Sequence, residues 1–358
     1  MKIKYWDESK TGNVNVISDE RNIKIGYFEN CTIEGMGAHY PQPLIKTQNE
    51  LLLPTIEKFM SLNRGTVYEE TMEWDCADKN IKKIETIPVF YFVYNCANYF
   101  HWIYDTMPYL YSYFKEKKKI QELKLLINTP NHKDDLYPFV YETLNLLGVE
   151  KKDLVFLDLE TEYETMIIAS SLTHNRMSLE PPHSSIFSLI SSMKGDNTIR
   201  EEKIYISRRT WTQIKSDNIG TDYTKERMCI NEDKVAKLFQ NHGYKEIFCE
   251  NLSMKEKIGL FRSAKFVAGP IGGGMSNVLF CKPDTKVISI NSPDFFPTNQ
   301  RLKHAFNHTD LYMFNHTKFV DKKKGVITDD NALSISGGMN SSWIVDLVKL
   351  QKVLGETK

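Results

Sequence analysis

Apolar residues in this chain gather into short runs of β-branched and aromatic side chains, and the stretches between them carry apolar positions at helical spacing. Alternation of the two predicts an α/β layer fold. The clearest run, 87–94 (IPVFYFVY), has the composition of a buried strand. A helix-like stretch follows through Phe114, then a strand at 123–128 and a helix near 134–147, with Gly148 placed as the C′ residue that ends it. Short strands at 154–157 and 165–170 come next. The first 80 residues show one strand, 22–28, and loops marked by Gly35, Gly37, Pro41 and Pro43.

The polar segment 194–202 (KGDNTIREE) interrupts this pattern and reads as a linker. Beyond it the alternation becomes regular. A strand at 203–207 precedes a helix at 232–241 with Val235, Leu238 and Phe239 on one face, and a strand at 246–249 follows. Ser253 opens the next helix, with Glu256 completing a capping box. A strand at 266–268 then runs through a glycine-rich turn into a helix that continues to Cys281, and 286–290 is another strand. This is a Rossmann-like series, in which ligands bind at the carboxyl ends of the strands. The expected organisation is an N-terminal α/β domain over 1–195, a C-terminal Rossmann-like nucleotide-binding domain over 196–335, and a terminal segment, 336–358. The last helix, about 342–354, has the spacing to pack back on the first domain.

The strongest chemical signal is 269–277 (GPIGGGMSN). Gly272, Gly273 and Gly274, lying between a strand and a helix, let the backbone approach a ligand, and the helix start offers N–H groups and positive dipole to a diphosphate. Ser276 and Asn277 add side-chain donors. Without a ligand the same residues make a tight strand-to-helix turn. A P-loop would end in Gly-Lys-Ser/Thr, and a dinucleotide fingerprint would carry spaced glycines in the first βα unit; neither is present, which counts against a nicotinamide-dependent oxidoreductase. Arg208 and Arg209 follow directly on strand 203–207, where guanidinium forks match phosphate oxygens, although a solvated basic pair fits the spacing equally. Arg227 precedes the helix at 232–241, and Glu232 in its first turn can accept from ribose hydroxyls.

In the N-terminal half, His101 and Asp105 stand at i, i+4 and so on one helical face. An imidazole oriented by a carboxylate is the pairing that deprotonates a hydroxyl; the alternative is a core histidine beside a helix cap. Pro108 means either that the helix begins only near Thr106 or that it is kinked.

The combination resembles family-61 glycosyltransferases. Residues 98–110 (NYFHWIYDTMPYL) are similar to that family's N-[FY]-x-H-W-x-x-D-x-x-P segment. Residues 205–209 (YISRR), 227–232 (RMCINE), 252–261 (LSMKEKIGLF) and 269–280 (GPIGGGMSNVLF) resemble its C-terminal block in order and spacing. The resemblance covers about 86–292. It implies two Rossmann-like domains facing each other across a cleft in the GT-B manner, an inverting mechanism and a nucleotide-sugar donor, a UDP-sugar in the first instance. In that reading His101 is the base and Asp105 its orienting carboxylate. Arg208, Arg209, Arg227, Glu232, Gly272, Gly273, Gly274, Ser276 and Asn277 bind the donor, and Asn98, Tyr99, Trp102 and Tyr104 line the acceptor groove, with a core role the equal alternative for Tyr99, Trp102 and Tyr104. Similar bacterial proteins build capsular or other surface polysaccharide, so the acceptor is a glycan, glycolipid or glycoprotein. The family's G-x-H-G-A-G-L-x-N has His where this chain has Ile271, and Ala where it has Gly273. That departure motivates an alternative, a catalytically inactive glycan- or nucleotide-binding assembly subunit.

Composition narrows the partners. Lys+Arg and Asp+Glu each number 46, so no basic surplus supports an extended nucleic-acid interface. The lysine-rich runs 115–119 and 322–324 read as solvated helix ends or loops. Cys31, Cys76, Cys96, Cys229, Cys249 and Cys281 lack CxxC spacing and are expected as buried thiols of a reducing compartment. No Asp-x-Asp follows a strand, and Asp158-Leu-Glu160 reads as a surface turn, so neither a metal nor a cofactor is expected; arginines and a helix start can stabilise a departing diphosphate instead. The N-terminus lacks an apolar signal core and no apolar run reaches membrane-spanning length. The expected location is cytoplasmic, with peripheral association at the inner face of a membrane.

Overall fold

Buried apolar runs become the central strands of two separate sheets. The computed structural model describes residues 3–18, 20, 23–34, 44–54, 80–92, 97–130, 134–173, 181–196, 198–209, 228–293, 300–320, 327–328 and 341–356. The chain divides into two units, Met1–Leu189 and Ile190–Lys358. Arg227, Cys76, Cys96, the loop residues Gly35, Gly37, Pro41 and Pro43, and the lysine run 322–324 lie outside the described residues.

The strands of the first unit are β1 (Ile3–Tyr5), β2 (Asn13–Ser18), β3 (Ile23–Glu34), β4 (Leu44–Lys46), β5 (Leu51–Leu53), β6 (Lys83–Glu85), β7 (Val89–Tyr91), β8 (Lys124–Ile127), β9 (Leu154–Phe156) and β10 (Thr161–Ala169). They form one mixed sheet in the order β1-β5-β4-β3-β10-β7-β8-β9, with β2 on β3 and β6 on β10. Strands β10, β7, β8 and β9 are mutually parallel, whereas β3 pairs antiparallel with β10, β2 and β4. Val89, Phe90 and Tyr91 of β7, and Leu125, Leu126 and Ile127 of β8, are all buried, as a parallel layer covered on both faces requires. The strand expected at 22–28 extends to Glu34, because Cys31 and Ile33 continue its buried face.

Its helices are α1 (Leu110–Lys117) and α2 (Pro138–Leu146), and α3 (Ser185–Ser192) runs across the division between the units. Helix α2 begins at Pro138 rather than near 134, since proline's fixed φ and missing N–H suit the first turn. Gly148 ends it at φ 80°, with its N–H on the Asn145 carbonyl at 3.1 Å and the Val149 N–H on the Leu144 carbonyl at 2.9 Å. Those are the two bonds of a Schellman motif.

In the second unit, β11 (Lys203–Ile206), β12 (Lys245–Ile247), β13 (Phe266–Pro270), β14 (Lys286–Ile290) and β15 (Asp310–Phe314) form an all-parallel sheet in the order β12-β11-β13-β14-β15. Helices α4 (Glu232–Asn241), α5 (Met254–Ser263) and α6 (Gln300–Phe306) lie between its strands in sequence. The capping box of α5 is formed: Ser253 Oγ accepts from the Glu256 N–H at 3.3 Å, and Glu256 Oε2 accepts from the Ser253 N–H at 2.7 Å. Strands β16 (Thr317–Val320), β17 (Ile327–Thr328) and β18 (Ser342–Val345) make a small antiparallel sheet, and α7 spans Leu347–Glu356. The residues expected to start the last helix are thus strand β18, whose Trp-Ile-Val favours a pleated surface. Leu350 and Leu354 of α7 share a buried cluster with Val235 and Phe239 of α4.

Within the polar segment that reads as a linker, Asp196 is held against α5. The Asp196 N–H bonds the Lys255 carbonyl at 2.8 Å, and a Cβ at Gly259 would fall 1.5 Å from the Asp196 carbonyl oxygen. Among the described residues no helix is long and apolar enough to cross a membrane. Cys31, Cys229, Cys249 and Cys281 are buried thiols.

Candidate active site

Two clusters of the expected residues form, one in each unit. In the first, Asn98 caps a helical segment that starts at Tyr99. Its Oδ1 accepts from the N–H groups of Phe100 at 3.0 Å and His101 at 3.3 Å, the N2 and N3 positions that an Asn cap serves. From His101 to Thr106 the helix widens into a π-turn, with the Met107 N–H reaching back to the Trp102 carbonyl. It then tightens through Met107–Tyr109 and enters α1. Pro108 accounts for the change: it lacks an N–H, and its ring excludes the carbonyl four residues earlier, so a regular ladder cannot pass. The helix therefore does not begin near Thr106; it passes the proline with its winding changed.

Inside this turn His101 Nδ1 lies 2.6 Å from Asp105 Oδ2. The Asp105 side chain is fully buried, whereas 22% of the His101 side chain is exposed. With Nδ1 donating to the carboxylate, Nε2 carries the basic lone pair. The neighbours proposed for an acceptor divide differently. Asn98 is the cap, and Trp102 and Tyr104 are entirely buried, Tyr104 stacking on Phe100 at 5.4 Å. Tyr99 keeps partial exposure and meets Phe139 edge-on at 5.2 Å.

In the second unit the strand order reverses between β11 and β13, the position at which an open parallel sheet leaves a crevice at its carboxyl edge. Arg208 follows β11 and the glycine turn follows β13. A Cβ at Gly269 would sit 2.6 Å from the Ile206 carbonyl oxygen, and one at Gly274 would sit 2.8 Å from Ile206 Cγ2. Glycine at these two places lets the end of β13 and the turn after it lie this closely on the end of β11. Past Gly272 the chain forms a 3₁₀ helix, Gly273–Phe280, instead of the expected α-helix. Side chains explain the tighter winding: Ser276 Oγ donates to the Gly273 carbonyl, and Asn277 Nδ2 donates to the Gly274 carbonyl at 2.8 Å. Ser276 and Asn277, expected to face a ligand, are fully buried and brace the turn from within. What the turn can present is backbone, because the first N–H groups of a helix have no acceptor inside it.

Arg208 lies against this turn. Its Nη1 donates to the Ile271 carbonyl at 3.0 Å, and its backbone N–H donates to Glu232 Oε1 at 2.7 Å. Glu232 is only 6% exposed and also accepts from the Ser207 and Tyr205 hydroxyls, both at 3.4 Å. Burial pushes its carboxyl up, and the Arg208 N–H and charge pull it back. Glu232 thus ties the start of α4 to the end of β11. Arg209 points to another partner, a forked pair with Glu246 at 2.8 Å (Nε to Oε1) and 2.5 Å (Nη2 to Oε2).

Glu246 escapes sequence reading; its one signal is an acid within a strand, and the register sets it opposite Tyr205, four residues before Arg209. Glu250, in the turn after β12, is raised by burial and lowered by its own backbone N–H, Lys257 and Arg208. Ile271, at the place where the resemblance expects His, is 5% exposed with its N–H on the Ile290 carbonyl. Asp158 closes the turn before β10, accepting from the Glu160 N–H and the Thr161 hydroxyl, both at 3.0 Å.

The family model described as Glycosyltransferase 61 matches residues 99–288, more than half of the chain. The match runs from the first residue of the His101 helix to the middle of β14. No curated protein matches the chain.

Proposed function

Since the chain belongs to glycosyltransferase family 61, we propose that it is an inverting transferase that moves a sugar from a nucleotide donor, a UDP-sugar in the first instance, to a hydroxyl of a glycan acceptor. The observation that carries this reading is the 2.6 Å pair between a partly exposed His101 and a fully buried Asp105. His101 Nε2 takes the proton of the acceptor hydroxyl as its oxygen attacks the anomeric carbon. The bond from that carbon to the diphosphate breaks, and the diphosphate leaves with the electron pair. Asp105 keeps Nδ1 protonated and stabilises the imidazolium. A single displacement inverts the centre, so an α-linked donor gives a β-linked product.

Arg208 and the backbone N–H groups of the turn at Gly272, Gly273 and Gly274 receive the diphosphate, and their fixed charge and dipoles stabilise it without a metal ion. Arg209 and Glu232 act behind them, holding the end of β11. Tyr99 borders the acceptor. A role in surface polysaccharide synthesis at the inner face of a membrane follows from the same reading.

Ile271 favours one second reading, a binding subunit that takes nucleotide or glycan without turnover. A panel of UDP-, GDP- and CMP-sugars, assayed for nucleotide release with glycan acceptors, separates the two. His101→Ala should lower transfer by roughly 10²–10⁴-fold while calorimetry with UDP or GDP finds affinity unchanged. Near-normal turnover by the folded variant would remove His101 as the base, and ligand binding without turnover by the wild-type chain would favour the second reading.

A further inference from the structure

We infer that Thr173 is a positioning residue for the His101 base, acting through the second oxygen of Asp105; this rests on the reading of His101 and Asp105 given above. Strands β7 and β10 are parallel neighbours although far apart in sequence, so their carboxyl ends lie side by side. The chain leaving β7 leads to the His101 helix, and the chain leaving β10 leads through Ser170, Ser171 and Leu172 to Thr173. The Thr173 hydroxyl reaches Asp105 Oδ1 at 3.4 Å, across 68 residues of sequence. Both side chains are buried.

Donor and acceptor roles along this row follow from the carboxylate. An ionised Asp accepts only, so the Thr173 proton goes to Asp105. Ser171 Oγ, 3.2 Å from Thr173 Oγ1, must then be the donor to Thr173. The Thr173 N–H returns to Ser171 Oγ at 3.1 Å. The row is therefore Ser171 to Thr173 to Asp105 Oδ1, with His101 on Oδ2.

Its base is anchored. The Ser170 N–H bonds the Lys24 carbonyl and the Lys24 N–H bonds Ser170 Oγ, both at 2.9 Å, and the His183 N–H bonds the Leu172 carbonyl at 2.7 Å. A carboxylate held at both oxygens cannot swing about its χ2, so the imidazole it holds is fixed as well. Removing the Thr173 hydroxyl takes that hydrogen bond from Asp105 Oδ1 and leaves the His101 bond on Oδ2 in place.

Thr173→Val keeps the shape and deletes the donor, and Thr173→Ser keeps the donor. With the best sugar nucleotide of the panel above, Thr173→Val should lower kcat about tenfold, the worth of one such hydrogen bond, with donor KM unchanged. Thr173→Ser should restore most of kcat. In an Asp105→Asn background Thr173→Val should add no further loss, because its effect runs through that carboxylate. Proton NMR gives a readout independent of turnover: the His101 Nδ1 proton, downfield in the wild type, should move in Thr173→Val and stay in Thr173→Ser.

Wild-type kcat in Thr173→Val, a full additional loss in the Asp105→Asn background, or equal damage from Val and Ser would each overturn the inference. If Thr173→Val does not fold, Ser171→Ala takes its place and should lower kcat in the same direction at unchanged donor KM; an unchanged kcat there also overturns it. An inactive His101→Ala beside a normal Thr173→Val rejects the role of Thr173 alone. An active His101→Ala rejects the base itself.

Discussion

Gly272→Ala tests whether the glycine turn and Arg208 form a donor site. Gly272 has φ 162° and ψ −173°, an extended conformation open to any residue, so alanine meets no backbone strain there. Its methyl would stand 3.3 Å from Arg208 Cζ and Nη1 and 3.4 Å from Nε. The guanidinium must retreat by a few tenths of an ångström, which loosens its bond to the Ile271 carbonyl and puts a methyl where a phosphate oxygen would approach. Complete loss of one charge-assisted hydrogen bond is worth about 1.5–3 kcal/mol, roughly 10–150-fold in affinity. A partial displacement belongs at the low end, so UDP or GDP binding should weaken about tenfold.

Gly274→Ala and Gly269→Ala are the controls, with methyls 2.8 Å from Ile206 Cγ2 and 2.6 Å from the Ile206 carbonyl oxygen. Overpacking of that kind costs about 1–3 kcal/mol, and each kcal/mol lowers Tm by about 2–4 °C in a unit of this size. Calorimetric titrations and thermal melts on the three variants should thus separate: lost affinity at a nearly unchanged Tm for Gly272→Ala, and a lowered Tm for the other two. Wild-type affinity in Gly272→Ala, or a Tm loss equal to that of Gly274→Ala, would refute the donor-site reasoning.

Two more outcomes follow from other parts of the molecule. Transfer measured in excess EDTA should match that with added Mg²⁺ or Mn²⁺; activity lost in EDTA and restored by metal would reject diphosphate stabilisation by Arg208 and the turn. Burial works against the charge of Glu50, yet hydrogen bonds from Lys4, Ser9, Thr11 and the Lys10 N–H outweigh it and lower its carboxyl from 4.5 to about 2. Because the folded value is the lower one, this stabilisation is complete above about pH 4.5 and disappears as pH falls through about 2. Glu50→Gln should therefore melt below the wild type at pH 7, and the two Tm curves should converge on acidification; a gap as large at pH 2 as at pH 7 would contradict this.

Much of the geometry of the candidate site is local in sequence and was legible there. His101 and Asp105 are one helical turn apart, and the π-turn forced by Pro108 preserves that meeting. Three glycines between an apolar strand and an apolar helix mark a close backbone approach whatever the fold around them. The capping box of α5 and the glycine end of α2 likewise need only neighbouring residues.

Adjacent arginines, by contrast, look alike in sequence. Arg209 is taken by Glu246 and Arg208 by the turn only because β12 and β13 flank β11 on opposite sides. Ser276 and Asn277 read as ligand donors until the 3₁₀ winding turns them inward onto carbonyls. Thr173 carries no local sign of its partner at all. Local spacing specifies capping, winding and near contacts, because those depend on bonds a few residues long. Strand order decides which buried polar groups meet across the sheet, since a hydrogen bond made 68 residues away exists only once both strands are in place.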